Sequence, residues 1–548
     1  MFKSILFGLV GLLGVASLDT HKPVYIALTL SNTDAVYDKL REISDPLSRN
    51  YGNWLDKGEV DALVGANTEG NRRVMEWLGK ENVDNIYNYG DAIKFVDTHD
   101  RVNELFKVEE DSYEESYEIP LELKQYIDFV EMSVKPMERK AKINRRAKSE
   151  EVDDRYFGRE SMVRLYNLPN KSVGKAVSGG LVEYQSNQGF TNEDLNSQQE
   201  ANGQVLNNLT NIVGNNVGTD AESELDVQLI SQAADDIHLW YWQTPYWLYS
   251  MAVDFNSAKA VPEVLSMSWG WAEDRQCDIV SCVNMTSKQY INRVNYEYAK
   301  ILLRGTTILS SSGDAGAPGR TSEGCDDSRP VNAIFPSSSA FVLSVGATYV
   351  KTERTNKTSV THLCKEYGCV EGSEERVVNY ADVGWTAGGG FSNHTIATPW
   401  WQTGEVTNYL ATAPSLPDEG TFNANGRAYP DVSLVGHSCP TYIEGTLCKV
   451  DGTSCSSPLM AGVVAVINKH QIYHGRNKVG YFNPLLYHIA RECDDCFNDV
   501  EAGNNWCTEM ECCDNPTKFG YQAVKGFDPV TGLGTPNVGN ILAFLDTR

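Results

Sequence analysis

From about residue 156 onward the chain alternates between short apolar runs and helical stretches, and this limits the possible folds more than any other feature. Val264-Leu265-Ser266-Met267-Ser268, Thr307-Ile308-Leu309-Ser310-Ser311 and Phe341-Val342-Leu343-Ser344-Val345 are apolar runs that end in small or polar residues. Helical stretches such as Ser287 to Arg304 lie between them. Apolar runs of this kind are strands buried on both faces, and strands joined by helices run parallel. The pattern predicts an α/β domain built on a doubly wound, mainly parallel sheet, with functional groups at the C-terminal ends of its strands. A smaller α/β module precedes it. There, Val24 to Leu30 and Ala92 to Val96 read as strands, and Asp34 to Ile43 and Asn71 to Gly79 as helices. With 548 residues the chain is too long for one core, so more than one folded unit is expected.

Between Met132 and Asp154 the character changes. Lys135, Arg139, Lys140, Lys142, Arg145, Arg146 and Lys148 cluster with few apolar residues, followed by Glu150, Glu151, Asp153 and Asp154. Such a stretch reads as a solvated linker open to proteolysis, either a processing site between a prodomain and an enzyme or a link between two permanent domains. The N-terminus carries one early cation (Lys3), an apolar run from Ile5 to Val15, and then Ala16-Ser17. That is the pattern of a secretory signal peptide. The run is too short to cross a bilayer, and no later stretch approaches the ~20 apolar residues a span needs. The expected organisation is a signal peptide over 1–17, a prodomain over 18–131, a linker over 132–155 and the main domain over 156–548.

All 13 cysteines lie at or after Cys277. Close pairs such as Cys277/Cys282, Cys364/Cys369 and Cys439/Cys448 suggest bridged loops formed in an oxidising compartment. Zinc is the rival reading of Cys493-x-x-Cys496 with Cys507, Cys512 and Cys513. The odd count leaves one thiol over, and Cys455 is the candidate. Sequons at Asn170, Asn208, Asn284, Asn356 and Asn393 agree with the secretory route. A net charge of -26 argues against nucleic acid or an anionic membrane as partner, and fits an acidic compartment, where that charge falls.

The chemistry centres on Gly452-Thr453-Ser454-Cys455-Ser456-Ser457-Pro458, which precedes a small-residue helix expected from Pro458 to about His470. A serine there is either a plain helix cap or a nucleophile backed by the helix dipole. A nucleophilic serine needs a base, yet none of His238, His362, His394 or His437 begins a helix in a recognisable motif, and His474 follows the serine. Carboxylates are available instead. Glu222 and Asp226 lie four apart in Glu222-Ser223-Glu224-Leu225-Asp226, so both face one way on a helix. They read as an ordinary acidic first turn or as a coupled pair with split pKa values. Ser311-Ser312-Gly313-Asp314-Ala315-Gly316 follows a strand, so Asp314 is a turn residue or a neutral carboxylic acid that donates to an oxyanion.

Together, E-x-x-x-D, S-G-D-x-G and G-T-S-x-S resemble the sedolisin, or serine-carboxyl peptidase, family. Glu222 to Gln228, Gly388 to Asn393, Gly426 to Val432 and Gly526 to Pro536 resemble its eukaryotic, lysosomal branch. Asp45-Pro46 and Tyr51-Gly52 are similar to its activation prodomain. The resemblance runs from about residue 20 to the C-terminus. It implies a subtilisin-like fold with a ferredoxin-like prodomain that acts as an intramolecular inhibitor. It also implies that Ser454 is the nucleophile, Glu222 the general base and acid, Asp226 the residue orienting Glu222, and Asp314 the oxyanion acid. One calcium ion is implied as well, held by the carboxylates of Asp499 and Asp528 with carbonyls of Val500, Val524 and Gly526. Such hard oxygen ligands suit calcium. Val524 stands where the family often has glycine, Asp451 where it usually has serine, and Cys455 where it has a small residue. The expected function is an acid-acting, self-activating zymogen that releases tripeptides from free polypeptide N-termini in a lysosome-like compartment or outside the cell. The alternatives are an endopeptidase of the same mechanism or an inactive peptide-binding glycoprotein.

Overall fold

The computed structural model describes residues 21–548 apart from 66, 112–113, 136–141, 144–145, 172–176, 185–188, 284, 321–324, 354–357 and 395–396. The expected signal peptide and two sequons, Asn284 and Asn356, lie outside the described residues. Two compact units are present, the first up to Thr29 with Asn67–Met132, the second comprising Leu30–Ala66 and Ser133–Arg548.

The first unit holds strands β1 (His21–Leu28), β2 (Tyr87–Asn88), β3 (Ala92–Thr98) and β4 (Ile127–Glu131) in the order β2-β3-β1-β4. β1 runs antiparallel to both neighbours, so its alternate residues share one face. Val24, Ile26, Phe95 and Phe129 are buried, as are Val74 and Leu78 on the helix Thr68–Lys80 and Val102 and Phe106 on the helix His99–Phe106. Thr98 caps that last helix, its hydroxyl accepting the Arg101 N–H.

The second unit carries the large sheet. A two-residue strand, β5 (Lys142–Ile143), precedes it. The sheet strands are β6 (Ser178–Tyr184), β7 (Asn211–Val213), β8 (His238–Thr244), β9 (Val264–Met267), β10 (Thr307–Ser311), β11 (Leu343–Val350), β12 (Glu375–Val377) and β13 (Val432–Val435). Their order is β12-β11-β10-β9-β6-β8-β7, with β13 also paired to β11. Every pairing is parallel except β11 with β12. The chain builds β6 outward to β7 and β8, then crosses to the other side of β6 to lay down β9. That reversal makes a crevice at the strand ends. After β13 a hairpin, β14 (Cys439–Ile443) and β15 (Thr446–Asp451), leads directly to Ser454, and β5 pairs with β15.

The segment Leu30–Ala66 belongs to this second unit. Tyr37 stacks on Phe341 at 5.4 Å between ring centres, the Trp54 indole N–H donates to the Lys478 carbonyl at 2.9 Å, and the Leu55 N–H to the Leu303 carbonyl at 2.8 Å. Among the described residues no helix is long and apolar enough to cross a membrane.

Candidate active site

Ser454 stands in the first turn of a helix that runs from Thr453 to Tyr473, five residues earlier than the expected start at Pro458. Pro458 lies inside this helix, close enough to its N-terminus that the missing N–H costs little. The helix begins sharply because Gly452 adopts φ +154°, and a side chain there would meet Asp314 Oδ2 at 3.3 Å. It packs closely along the helix Ala221–Ala233, since Gly462 leaves so little room that a Cβ would stand 2.4 Å from the Ala233 Cβ. Small residues in one helix thereby bring the Glu222 helix and the Ser454 helix into contact.

The acidic helix is opened by Asp220, whose Oδ2 accepts the Glu222 N–H at 3.2 Å and the Ser223 N–H at 3.3 Å. Glu222 is 4% exposed and Asp226 is fully buried. Asp226 Oδ1 accepts the Ser268 hydroxyl at 2.8 Å, and Ser268 follows β9 directly. One crevice is lined by Ser268, Trp269, Trp271, Asp314, Thr453 and Ser454, contributed by the ends of β9 and β10 and the start of the Ser454 helix. The Trp269 indole N–H donates to Glu183 Oε2 at 2.8 Å and fixes one wall.

Asp314 is joined to the Ser454 turn through Thr453. Its Oδ1 accepts both the Thr453 N–H and the Thr453 hydroxyl at 2.8 Å, and the Gly313 N–H donates to that hydroxyl oxygen at 3.2 Å. Its Oδ2 accepts the Lys142 ammonium at 2.6 Å. Burial alone would push the Asp314 carboxyl up. The charge and hydrogen bond of Lys142, with Arg320 nearby and the Thr453 N–H, overcome it and hold the group well below the usual carboxylate range. In this arrangement Asp314 accepts at both oxygens, from Thr453 at Oδ1 and from Lys142 at Oδ2.

The pro-kumamolisin activation domain family matches residues 12–134, and the subtilase family matches residues 203–479. Physarolisin of Physarum polycephalum is 34% identical to the chain, with 99% of each covered. The chain is a sedolisin, a serine-type peptidase of the subtilase family. Tripeptidyl-peptidase 1 of Dictyostelium discoideum is 28% identical, with 92% of this sedolisin and 86% of that protein covered. The mouse protein of the same name is 27% identical over 97% and 93%. The crystallised Pseudomonas sedolisin, a serine-carboxyl proteinase, shares the fold at a TM-score of 0.55 and 22% identity, covering 72% of this chain and 99% of its own.

The remaining expected residues fall away from the crevice. Asp499 Oδ2 accepts the Gly526 N–H at 2.6 Å, and Asp528 Oδ2 accepts the Val524 N–H at 3.0 Å, so one turn gathers four of the five expected calcium ligands. Val500, the fifth, is adjacent to Asp499 and buried. Burial pushes both carboxyls up, Asp528 to about 7, and the N–H groups they accept compensate only in part. Both carboxyls are the hard oxygen donors that a cation such as calcium takes, and the backbone groups placed against them are N–H groups.

His437 is buried between Asp451, at 3.1 Å, and Asp154, at 3.2 Å. Burial lowers its pKa, but the Asp451 charge and the Asp154 hydrogen bond raise it to about 9. It is a structural cation of the sedolisin.

The expected bridges Cys277–Cys282 and Cys364–Cys369 form. Cys439 and Cys448, expected as a pair, do not bond. In the β14–β15 register Cys439 faces Val450 and Cys448 faces Thr441, a diagonal roughly 7–8 Å long and beyond disulfide reach. The sulfurs of the rival zinc reading are committed to Cys493–Cys496, Cys507–Cys512 and Cys325–Cys513. Cys455 is free and buried as expected, but Cys439 and Cys448 are free with it.

Sequence reasoning missed Ser268, Thr453, Lys142 and Glu509, whose Oε2 lies 3.4 Å from the Lys142 ammonium. Ser268 ends an apolar run, the place where a strand delivers a functional group. Lys142 is one of several lysines in a basic stretch, with nothing local to single it out.

Proposed function

We propose that this sedolisin is a self-activating zymogen that, once processed in an acidic compartment, removes tripeptides from the free N-termini of polypeptides. The observation that carries the reading is the meeting of Ser454 and Asp314 on one crevice, joined to the carboxyl-bearing helix through the Ser268–Asp226 hydrogen bond, with no histidine among the described residues that line it. Tripeptide release is suggested by relatives called tripeptidyl-peptidase 1 that cover nearly the whole chain.

In this reading Glu222 takes the Ser454 hydroxyl proton as Oγ bonds to the scissile carbonyl carbon. Asp226, itself positioned by Ser268, orients Glu222. Asp314, protonated once Lys142 has left, donates a hydrogen bond to the tetrahedral oxyanion beside the Thr453 turn. Glu222 then delivers its proton to the leaving amine, and water releases the acyl group by the same steps. A carboxyl base with an ordinary pKa of about 4.3 works best near that pH, and Asp314 is neutral only in acid. A bound calcium would neutralise Asp499 and Asp528 and fix the turn that carries them.

The deciding experiment incubates acid-processed protein with a tripeptide-amide fluorogenic substrate and with an N-blocked internal peptide. Cleavage of the first alone is expected. Cleavage of the blocked peptide alone would make it an endopeptidase of the same mechanism, and cleavage of neither would end the peptidase reading.

A further inference from the structure

The basic stretch ahead of the peptidase sheet contributes a strand to the site. β5 lies antiparallel to β15, with Ile143 opposite Val450 and Lys142 opposite Asp451, immediately upstream of Ser454. This is edge-strand addition, in which backbone hydrogen bonds supply affinity and side-chain seats supply selectivity. The Lys142 side chain is 4% exposed, an unusual state for a lysine. Its ammonium lies 2.6 Å from Asp314 Oδ2 and 3.4 Å from Glu509 Oε2. The same nitrogen sits over the fully buried Trp385 ring, 5.2 Å from its centre. Two carboxylates of different loops and an aromatic face therefore meet one cation. Glu509 is held in turn at 3.5 Å from Arg320 Nε, on the loop that follows Asp314.

We propose that Asp314, Glu509 and Trp385 form an ammonium-binding subsite beside the nucleophile. Its ligand is a lysine-bearing extended peptide added to the edge of β15, and in the precursor Lys142 fills it and keeps the enzyme inactive. The assignment rests on Asp314 being the oxyanion acid. With Thr453 on one oxygen and Lys142 on the other, Asp314 accepts on both and has no proton to donate. A peptide so bound is an inhibitor even where its backbone lies as a substrate's would. The seat is compact and the ion pair close, so a point-charge ammonium suits it better than a planar guanidinium.

Two measurements test this, the second independent of whether a variant folds. The first compares self-processing of wild-type precursor with Lys142→Met and Lys142→Arg at the same acidic pH. At least a tenfold faster appearance of processed enzyme is expected for Lys142→Met, and an intermediate rate for Lys142→Arg. The second uses wild-type processed enzyme and the blocked peptide acetyl-Ala-Lys-Ile-Asn-amide, which copies residues 141–144, beside the same peptide with methionine for lysine. The lysine peptide is expected to compete with the fluorogenic substrate at least tenfold more tightly. Equal inhibition by the two peptides, or processing of Lys142→Met at the wild-type rate, overturns the subsite. Processed enzyme that cleaves no substrate defeats the peptidase reading instead, so the two failures are distinct.

Discussion

In the proposed mechanism a carboxyl group replaces imidazole as the base, and single side chains then control its proton. Ser268 holds Asp226 at 2.8 Å, and Asp226 shares a helix face with Glu222. Ser268→Ala is therefore expected to lower kcat about tenfold and to change KM less, since the Ser268 hydroxyl is donated to Asp226. Initial-rate measurements on processed enzyme check this. Asp314→Asn is a sharper test. The amide donates at any pH, so this variant is expected to lose roughly a hundredfold in rate in acid yet fall off less as pH rises. An Asp314→Asn pH–rate profile parallel to that of wild type would remove Asp314 from the oxyanion role.

At the scale of elements, the site depends on how closely two helices approach. A methyl group on Gly462 would stand 2.4 Å from the Ala233 Cβ and 2.7 Å from the Ile230 carbonyl oxygen, distances that leave no room for it. Gly462→Ala is expected to cost about 1–3 kcal/mol by overpacking, and to lower kcat as well by displacing Ser454 from the acidic helix. Thermal unfolding and kinetics on the same sample read both effects. The turn at Val524 to Asp528 is the second such element. If it holds calcium, chelation at neutral pH is expected to lower Tm by several degrees, with recovery on adding calcium back. An unchanged Tm would remove the ion from the account. The pattern of residues marked the strands, the helices and these turns, because periodicity and glycine chemistry are local. It misplaced the start of the Ser454 helix, because Gly452 rather than Pro458 sets that boundary.

For the whole molecule the buried carboxyls set the direction of pH dependence. Burial pushes Glu224 up to about 8 and raises Glu375 and Asp431, despite the hydrogen bonds each accepts. A carboxyl with a raised pKa in the folded state adds stability that is complete below its unfolded pKa, near 4.5 for Glu224, and is lost as pH climbs through 8. Asp314 and Asp154 act oppositely, because their folded pKa values are depressed, so their contribution is lost on acidification. For Glu224 the swing is on the order of a few kcal/mol between pH 4.5 and 8. Glu224→Gln is thus expected to flatten the fall in Tm over that window. Identical Tm–pH curves for wild type and variant would rule Glu224 out as a source.

The sequence alone determined the class of fold and the chemical types at the site. Buried strands, helices between them and the spacing of Glu222 with Asp226 are all written in local order, where neighbours along the chain are neighbours in space. Only the tertiary structure decided which distant groups meet. It joined Ser268 to Asp226 and Thr453 to Asp314, left Cys439 and Cys448 apart, and put Lys142 against an acid far along the chain. Contacts of that kind depend on strand register and helix packing, and no run of residues near Lys142 encodes them.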